Sequence, residues 1–364
     1  MQVFHLSHTD LDGYGCQFIS RHFFEQISYY NANYGKEVSA RLKEIINALN
    51  KPILQKALIL VTDLNLTLGE AEFLQKECEA LRLQGREVEI LLLDHHITGQ
   101  DAAQAYSWYH LDVERSASKI TYETLKERFK PLQEDALEKL APMVEMINSI
   151  DIWQEEGFGF ELGKVCMRMI ASTHELNRSM FDAQNRAYKF ALLEHVPAYI
   201  HQERGAVLFD NDLFKLKKIA LGGNPDMETM DNIASNAQVA LLSKNKEICT
   251  VLCDGKRGFL SYNMGGISVL ANLFLRENPE FDFYIDVSFR GSVSLRSNNK
   301  CDVSSISKQY FNGGGHKNAS GGKIEGFKES FSYYDIKEQL EGVFARKNEG
   351  GSDSFFANRF GFNI

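Results

Sequence analysis

His8, Asp10 and Asp12 alternate along the segment His8-Thr9-Asp10-Leu11-Asp12-Gly13. In extended geometry, positions i, i+2 and i+4 face the same way, so one imidazole and two carboxylates can converge on a single point, as a hard divalent cation requires. The same letters also read as a tight turn in which Asp12 caps a helix. A second group follows an apolar run, Leu91-Leu92-Leu93, which delivers Asp94, His95 and His96. Adjacent side chains at a strand end point in different directions. One imidazole can therefore ligate a metal while the other faces substrate, with Asp94 orienting an imidazole N–H. Asp63 ends the run Ala57–Thr62, and Asp151 closes a helix-rich stretch. Carboxylates gathered in one cleft repel each other unless cations neutralise them. His8, Asp10, Asp12, Asp63, His95 and Asp151 are too many donors for one open site and suit two ions sharing a carboxylate. Their oxygen-dominated set favours Mn²⁺, with Mg²⁺ as the alternative, over a structural zinc site. Such a pair activates water near neutral pH and clamps both oxygens of a phosphoryl transfer.

A third group lies in the second half: Arg296-Ser297, then Gly313-Gly314-Gly315-His316-Lys317-Asn318. Three consecutive glycines let backbone N–H groups approach an anion, Arg296 offers a planar fork, and His316 and Asn318 can hydrogen-bond to phosphate or sugar. Between Asp286 and Lys323 the formal charge is +4.

The elements that must position these groups are legible in outline. Val3–Ser7, Ala57–Thr62 and Glu87–Leu93 read as strands, alternating with helices at Gly13–Phe24 and Leu68–Leu83. This is the pattern of βαβ units, which place the acids at strand carboxyl ends along one edge of a parallel sheet. Helices are expected between Ala117 and Ile150, then a long helix over 178–203 that Gly205 closes. Beyond it, Val239–Leu242, Ile248–Cys253, Phe283–Phe289 and Ser292–Arg296 read as strands, with helices at Ile267–Arg276 and Val303–Phe311 and a loop at Gly222–Asn232. The aromatic residues Phe355, Phe356, Phe360 and Phe362 suggest that the tail docks on the rest of the chain.

With 364 residues, 44% hydrophobic and 24% charged, the chain should form two folded domains. Its net charge of −9 argues against a broad basic face for duplex DNA or an anionic membrane. No apolar run can span a bilayer and Met1–Ser7 lacks a signal-peptide pattern, so a cytoplasmic protein with no membrane partner is expected. The six scattered cysteines are expected to be buried free thiols.

The His8/Asp10/Asp12 segment, Asp63, Asp94-His95-His96 and Asp151 resemble the four metal motifs of the DHH phosphoesterase superfamily. The Arg296 and Gly313–His316 block resembles the associated DHHA1 domain. The opening HTDLDGYGC and Asp151-Ile152-Trp153 are most similar to the nano-RNase branch. The resemblance implies an α/β chain: a parallel-sheet DHH domain with helices on both faces (residues 1–175), a connector helix (176–204), a smaller mixed α/β DHHA1 domain (205–346) and a tail (347–364). It makes His8, Asp10 and Asp63 ligands of one Mn²⁺, and Asp12, Asp63, His95 and Asp151 ligands of the other. Asp94 then orients and His96 contacts the scissile phosphate, while Arg296, Gly314, Gly315, His316 and Asn318 hold the terminal nucleotide. Glu114–Ser118 resembles a stretch that lines the cleft.

The implied activity is hydrolysis of short single-stranded RNA or DNA oligonucleotides to 5′-mononucleotides, with nucleotides as partners and a homodimer among the admissible assemblies. The alternatives are a phosphatase for 3′-phosphoadenosine 5′-phosphate, a cyclic or linear dinucleotide phosphodiesterase, and a non-catalytic nucleotide-binding scaffold. The spacing His-x-Asp-x-Asp disfavours the cyclic-dinucleotide branch, and the complete ligand set disfavours the scaffold.

Overall fold

The structure, a computed structural model, describes residues 1–51 and 56–348. It forms two compact units. The first comprises Met1–His174 and Arg186–Ala220, and the second Glu175–Asn185 with the chain from Leu221 onward.

The first unit is built on five strands, β1 (Gln2–Ser7), β2 (Ile27–Asn31), β3 (Lys56–Thr62), β4 (Glu87–Asp94) and β5 (Tyr109–Leu111), in the order β2-β1-β3-β4-β5. Every pairing is parallel. β3 and β4 are apolar along most of their length because both sheet faces are covered, which removes the alternation seen in one-sided sheets. On one face Phe4, Leu6, Ile59, Val61 and Leu92 pack against helices Lys36–Leu49 and Leu68–Leu83 through Leu42, Ile45 and Leu74. The opposite face carries the helices Leu11–Ser20, Ala117–Arg128 and Ala141–Asp151, which contact one another.

That second face holds a buried polar residue. His5 is fully enclosed, its ring nitrogens 2.8 Å from Ser20 Oγ and 2.9 Å from Thr62 Oγ1. Because the strands are parallel, Ser7, Thr62 and Asp94 come out on one edge, with Ser7 in register with Thr62. Asp63 leaves β3 with φ of 55° and donates its amide to Leu93 O at 3.1 Å, so its side chain is held beside the end of β4.

The second unit carries six strands, β6 (Thr250–Cys253), β7 (Lys256–Tyr262), β8 (Phe283–Val287), β9 (Ser292–Ser297), β10 (Gly314–His316) and β11 (Ala319–Lys323), in the order β10-β11-β9-β8-β7-β6. Only β7 and β8 run parallel. Helices Val303–Tyr310 and Tyr333–Asn348 cover one face through Val303, Ile306, Ile336 and Leu340. Phe274 on helix Ser268–Glu277 packs against Phe259 and Tyr284, with ring centroids at 4.2 and 5.5 Å.

The mixed α/β architecture is as expected, but several local readings are not. Val239–Leu242 lies in helix Met230–Ser243, which Thr229 caps, and buries Ile233, Val239 and Leu242 along one face. The tail of the expected Gly222–Asn232 loop is already in that helix, and Ile248 sits in a short helix before β6. The long helix runs Arg178–Leu193, broken at Phe181 (φ −135°, ψ 47°). Gly205 opens helix Gly205–Ala220 rather than closing one. This helix packs on Phe160–Ser172, so the first unit reaches Ala220, and the expected boundary at 205 shifts accordingly.

All six cysteines are free, five of them buried. The expected tail lies outside the described residues, apart from the end of the last helix. Among the described residues, no helix is long and apolar enough to cross a membrane.

Candidate metal centre

The edge formed by β1, β3 and β4 brings eight expected residues together. Asp10, and not Asp12, caps helix Leu11–Ser20, its Oδ1 accepting the Gly13 amide at 3.0 Å. Asp10 Oδ2 meets His8 Nδ1 at 2.8 Å, and Asp63 Oδ2 lies 3.7 Å from the same nitrogen. Gly13 is required here: a Cβ would fall 2.5 Å from the His8 carbonyl oxygen. Asn31 Nδ2 donates to that oxygen at 2.8 Å from the neighbouring strand.

His95 Nε2 faces three carboxylates, Asp63 Oδ1 at 3.4 Å, Asp151 Oδ2 at 3.5 Å and Asp12 Oδ2 at 4.0 Å. Asp12 is buried and accepts the amides of Ala117 and Ser118 at 2.7 and 2.8 Å. The first turn of helix Ala117–Arg128 is thus aimed at an anion, the arrangement by which helix N-termini hold negative charge. His96 Nδ1 lies 2.7 Å from Asp94 Oδ1, and Tyr109 donates to Asp94 Oδ2 at 2.8 Å. Asp94 is therefore an orienting group, its two oxygens used by His96 and Tyr109.

Three sets of ligand atoms each lie within 4.8 Å of one another: His8, Asp10 and Asp63; Asp12, His95 and Asp151; and Asp63, His95 and His96. Asp63 Oδ2 and Asp151 Oδ2 are buried without a hydrogen-bond partner. Two such oxygens beside imidazole nitrogens and further carboxylates form an oxygen-rich donor set that fits divalent cations. The electrostatics agree. Burial, then the charges of Asp10 and Asp12, pushes Asp63 well above the usual carboxylate range. Burial and then Asp12 and Asp10 push Asp151 up as well. Asp10 moves the other way: burial opposes its charge, but the His8 contact and the Gly13 amide outweigh it. His95 is lowered by burial. For His96 burial acts downward, but the hydrogen bond and charge of Asp94 prevail and raise it.

In the second unit, Arg296 lies on β9, and Gly314, Gly315 and His316 form the exposed edge strand β10. Arg296 donates to Ser268 Oγ at 2.9 Å, at the start of helix Ser268–Glu277. Gly315 has φ of 148°, and a Cβ there would lie 2.5 Å from the Ala319 oxygen. Gly314 has open space around the position of its missing Cβ. Asn318 is engaged locally: its amide bridges Asn299, donating to Asn299 Oδ1 at 2.7 Å and accepting its amide at 3.0 Å.

Three residues at the centre escape sequence reasoning. The Tyr34 hydroxyl lies 2.9 Å from His96 Nε2 and 3.4 Å from its Nδ1, and the ring lies against His8 with centroids at 4.8 Å; Tyr109 and Asn31 have the roles given above. Asn31 and Tyr34 lie in and just after β2, whose Ser-Tyr-Tyr-Asn composition carries no strong period, and Tyr109 lies on a three-residue strand.

A parallel sheet with a carboxylate–imidazole cluster at its carboxyl edge fits a hydrolase acting on phosphoesters with a divalent cation. The chain belongs to the DHH family of phosphoesterases. A relative named 3′,5′-cyclic-nucleotide phosphodiesterase, from Helicobacter pylori (strain ATCC 700392 / 26695), is 60% identical over 344 residues, 94% of this chain and 99% of that protein. Oligoribonuclease NrnB of Bacillus subtilis (strain 168) is 27% identical over 88% of this chain and 73% of its own length. The crystal structure of an uncharacterised protein from Helicobacter pylori G27 matches with TM-score 0.91 and 60% identity, covering 95% of this chain and 99% of that one. No family model matches the chain.

Proposed function

We propose that this protein is a metal-dependent phosphodiesterase for small nucleotide phosphodiesters, cleaving the P–O3′ bond and leaving a 5′-phosphate. The observation that carries the reading is the convergence of His8, Asp10, Asp12, Asp63, His95 and Asp151 around two buried carboxylate oxygens that lack protein partners. His8, Asp10 and Asp63 would hold one divalent ion and Asp12, His95 and Asp151 a second, with Asp63 shared; Mn²⁺ suits the donors, with Mg²⁺ as the alternative. When bound, such a pair supplies a water nucleophile near neutral pH and charge stabilisation at the phosphoryl oxygens.

The chain's own residues do the rest. The Ala117 and Ser118 amides fix Asp12 and favour its charge against the burial that raises its pKa. Asp94 holds the His96 imidazole so that its other nitrogen faces the reacting ester, where it can hydrogen-bond the departing 3′ oxygen. In the second unit, Arg296 and the glycine edge Gly314–His316, shaped by Asn318, are assigned to substrate phosphate, because an exposed edge with a guanidinium fork and a glycine open to solvent suits an anion.

Two substrates share this chemistry. A 3′,5′-cyclic nucleotide is the first reading, supported by the name of the relative that is 60% identical along almost its whole length. Short single-stranded oligonucleotides are the second, supported by the nano-RNase-like motifs and by the oligoribonuclease. The test is to incubate the purified protein, with Mn²⁺ or Mg²⁺, with 3′,5′-cyclic AMP, 5′-labelled RNA and DNA oligomers of graded length, and 3′-phosphoadenosine 5′-phosphate, resolving the products over time. 5′-Mononucleotides formed from the cyclic nucleotide or the short oligomers, and abolished by chelator, are expected. Phosphate release from 3′-phosphoadenosine 5′-phosphate alone would replace this reading with a phosphatase.

A further inference from the structure

Resting on the phosphodiesterase reading, we infer that Tyr34 is a positioning residue for His96, its hydroxyl set against the face of an imidazole that Asp94 holds at one edge, so that Nε2 can serve the leaving oxygen. Asp94 Oδ1 lies 2.7 Å from Nδ1, and the Tyr34 hydroxyl lies 2.9 Å from Nε2 and 3.4 Å from Nδ1, distances that place it over the ring face rather than at the outer edge of Nε2. An imidazole bound at one nitrogen still swings about its Cβ–Cγ bond; a hydroxyl packed against its face limits that swing.

The Tyr34 ring also lies against His8, with centroids at 4.8 Å, and edge-on to His96 at 5.5 Å. One side chain therefore touches an imidazole from the β1 motif and one from the β4 motif. The segment that carries it is itself tied down. Thr9, between His8 and Asp10, donates to Asn33 Oδ1 at 2.6 Å, and the Asn33 amide donates to Glu37 Oε2 at 2.9 Å. Gly35, with φ of 87°, then turns the chain into helix Lys36–Leu49. A tyrosine that is 44% exposed adds little to the core, so this bracing is better explained by the imidazoles it orders than by stability.

Tyr34→Phe keeps the ring and removes only the hydroxyl. It should be compared with wild type on the nucleotide ester that wild type cleaves, which expels an alkoxide, and on bis(p-nitrophenyl) phosphate, whose nitrophenolate leaves without help. The expected result is a kcat about tenfold lower on the nucleotide with KM within about twofold, the nitrophenyl ester within about twofold of wild type, and an unchanged melting temperature. Equal losses on both esters, no loss on either, or a clear fall in melting temperature would each overturn the assignment. A wild-type protein that cleaves neither ester would instead refute the phosphodiesterase reading, and this role with it.

Discussion

Ser118 grips Asp12 twice: its amide donates to Asp12 Oδ1 at 2.8 Å and its hydroxyl to the Asp12 carbonyl oxygen at 2.9 Å. The two residues lie 106 positions apart, so the contact ties the helix after β1 to the helix that opens at Ala117, and so fixes a candidate metal ligand. Ser118→Ala keeps the amide and removes the hydroxyl, with its bond to the Asp12 carbonyl and its 3.8 Å contact to Cys16 Sγ. It should cost about 1 kcal/mol in denaturant unfolding while leaving turnover within about twofold, because both amides still hold the carboxylate. A collapse of activity in a folded Ser118→Ala protein would show that the backbone amides alone do not position Asp12.

Asp63 is buried beside Asp10, Asp12 and Asp151, whose charges add to burial in raising it, and its φ of 55° is one that Asn tolerates. Asp63→Asn should therefore fold. In chelator, its melting temperature should equal or exceed that of wild type, since a buried group in a crowded anionic cluster has lost its charge. With Mn²⁺ the order reverses: wild type is stabilised through binding linkage, and the variant shows little shift and at least about a hundredfold lower turnover. Calorimetric titration with Mn²⁺ alongside melting curves checks both halves. A variant that binds two ions as wild type does removes Asp63 from the ligand set.

The legible part of this molecule is the part where local pattern and tertiary role coincide. β3 and β4 are apolar runs that end just before Asp63 and at Asp94, and β1 leads into the His8–Asp12 motif, so strand, sheet edge and candidate ligand are read together. Other elements depend on their neighbours. β2 is a strand because Ile27–Asn31 pairs in parallel register with Val3–Ser7, not because its own letters alternate. β7, which opens Lys-Arg-Gly and is absent from the strands expected from the sequence, is a strand because it pairs between β6 and β8. Val239–Leu242 has strand-like composition, but Ile233, Val239 and Leu242 are buried together on one helix, and packing decides. At the centre, the residue types of the ligands were visible, whereas the groups that hold them, Tyr34, Tyr109 and the Ala117–Ser118 amides, are set by contacts between distant segments.

His5 predicts an acid-side loss of stability. Burial, followed by the positive charge of Arg186, lowers its pKa from 6.5 to about 3. The folded state thus keeps the ring neutral where the unfolded chain takes up a proton. Its contribution is complete above about pH 6.5 and is lost as pH falls toward 3, at up to about 1.4 kcal/mol for each unit between the two pKa values. Unfolding free energies measured from pH 7 to pH 4 should fall for wild type and fall less steeply for His5→Gln, which can still pair with Ser20 or Thr62. Parallel curves for the two proteins would mean that other groups carry the acid dependence.

A variant of Arg296 tests proposed substrate binding apart from metal chemistry, because Arg296 belongs to the second unit while the candidate ligands belong to the first. Its guanidinium donates to Leu295 O at 2.8 Å and to Ser268 Oγ at 2.9 Å, so the fork is held at the start of helix Ser268–Glu277 rather than swinging free. Arg296→Lys keeps the charge but loses the planar pair of donors that fits a phosphate. KM for the nucleotide substrate should rise about tenfold while kcat stays within about twofold, and the Mn²⁺-induced rise in melting temperature should match that of wild type. Steady-state kinetics with a melting series in Mn²⁺ reads all three quantities from one preparation. A fall in kcat at unchanged KM would remove Arg296 from ground-state binding and place its effect in the transition state.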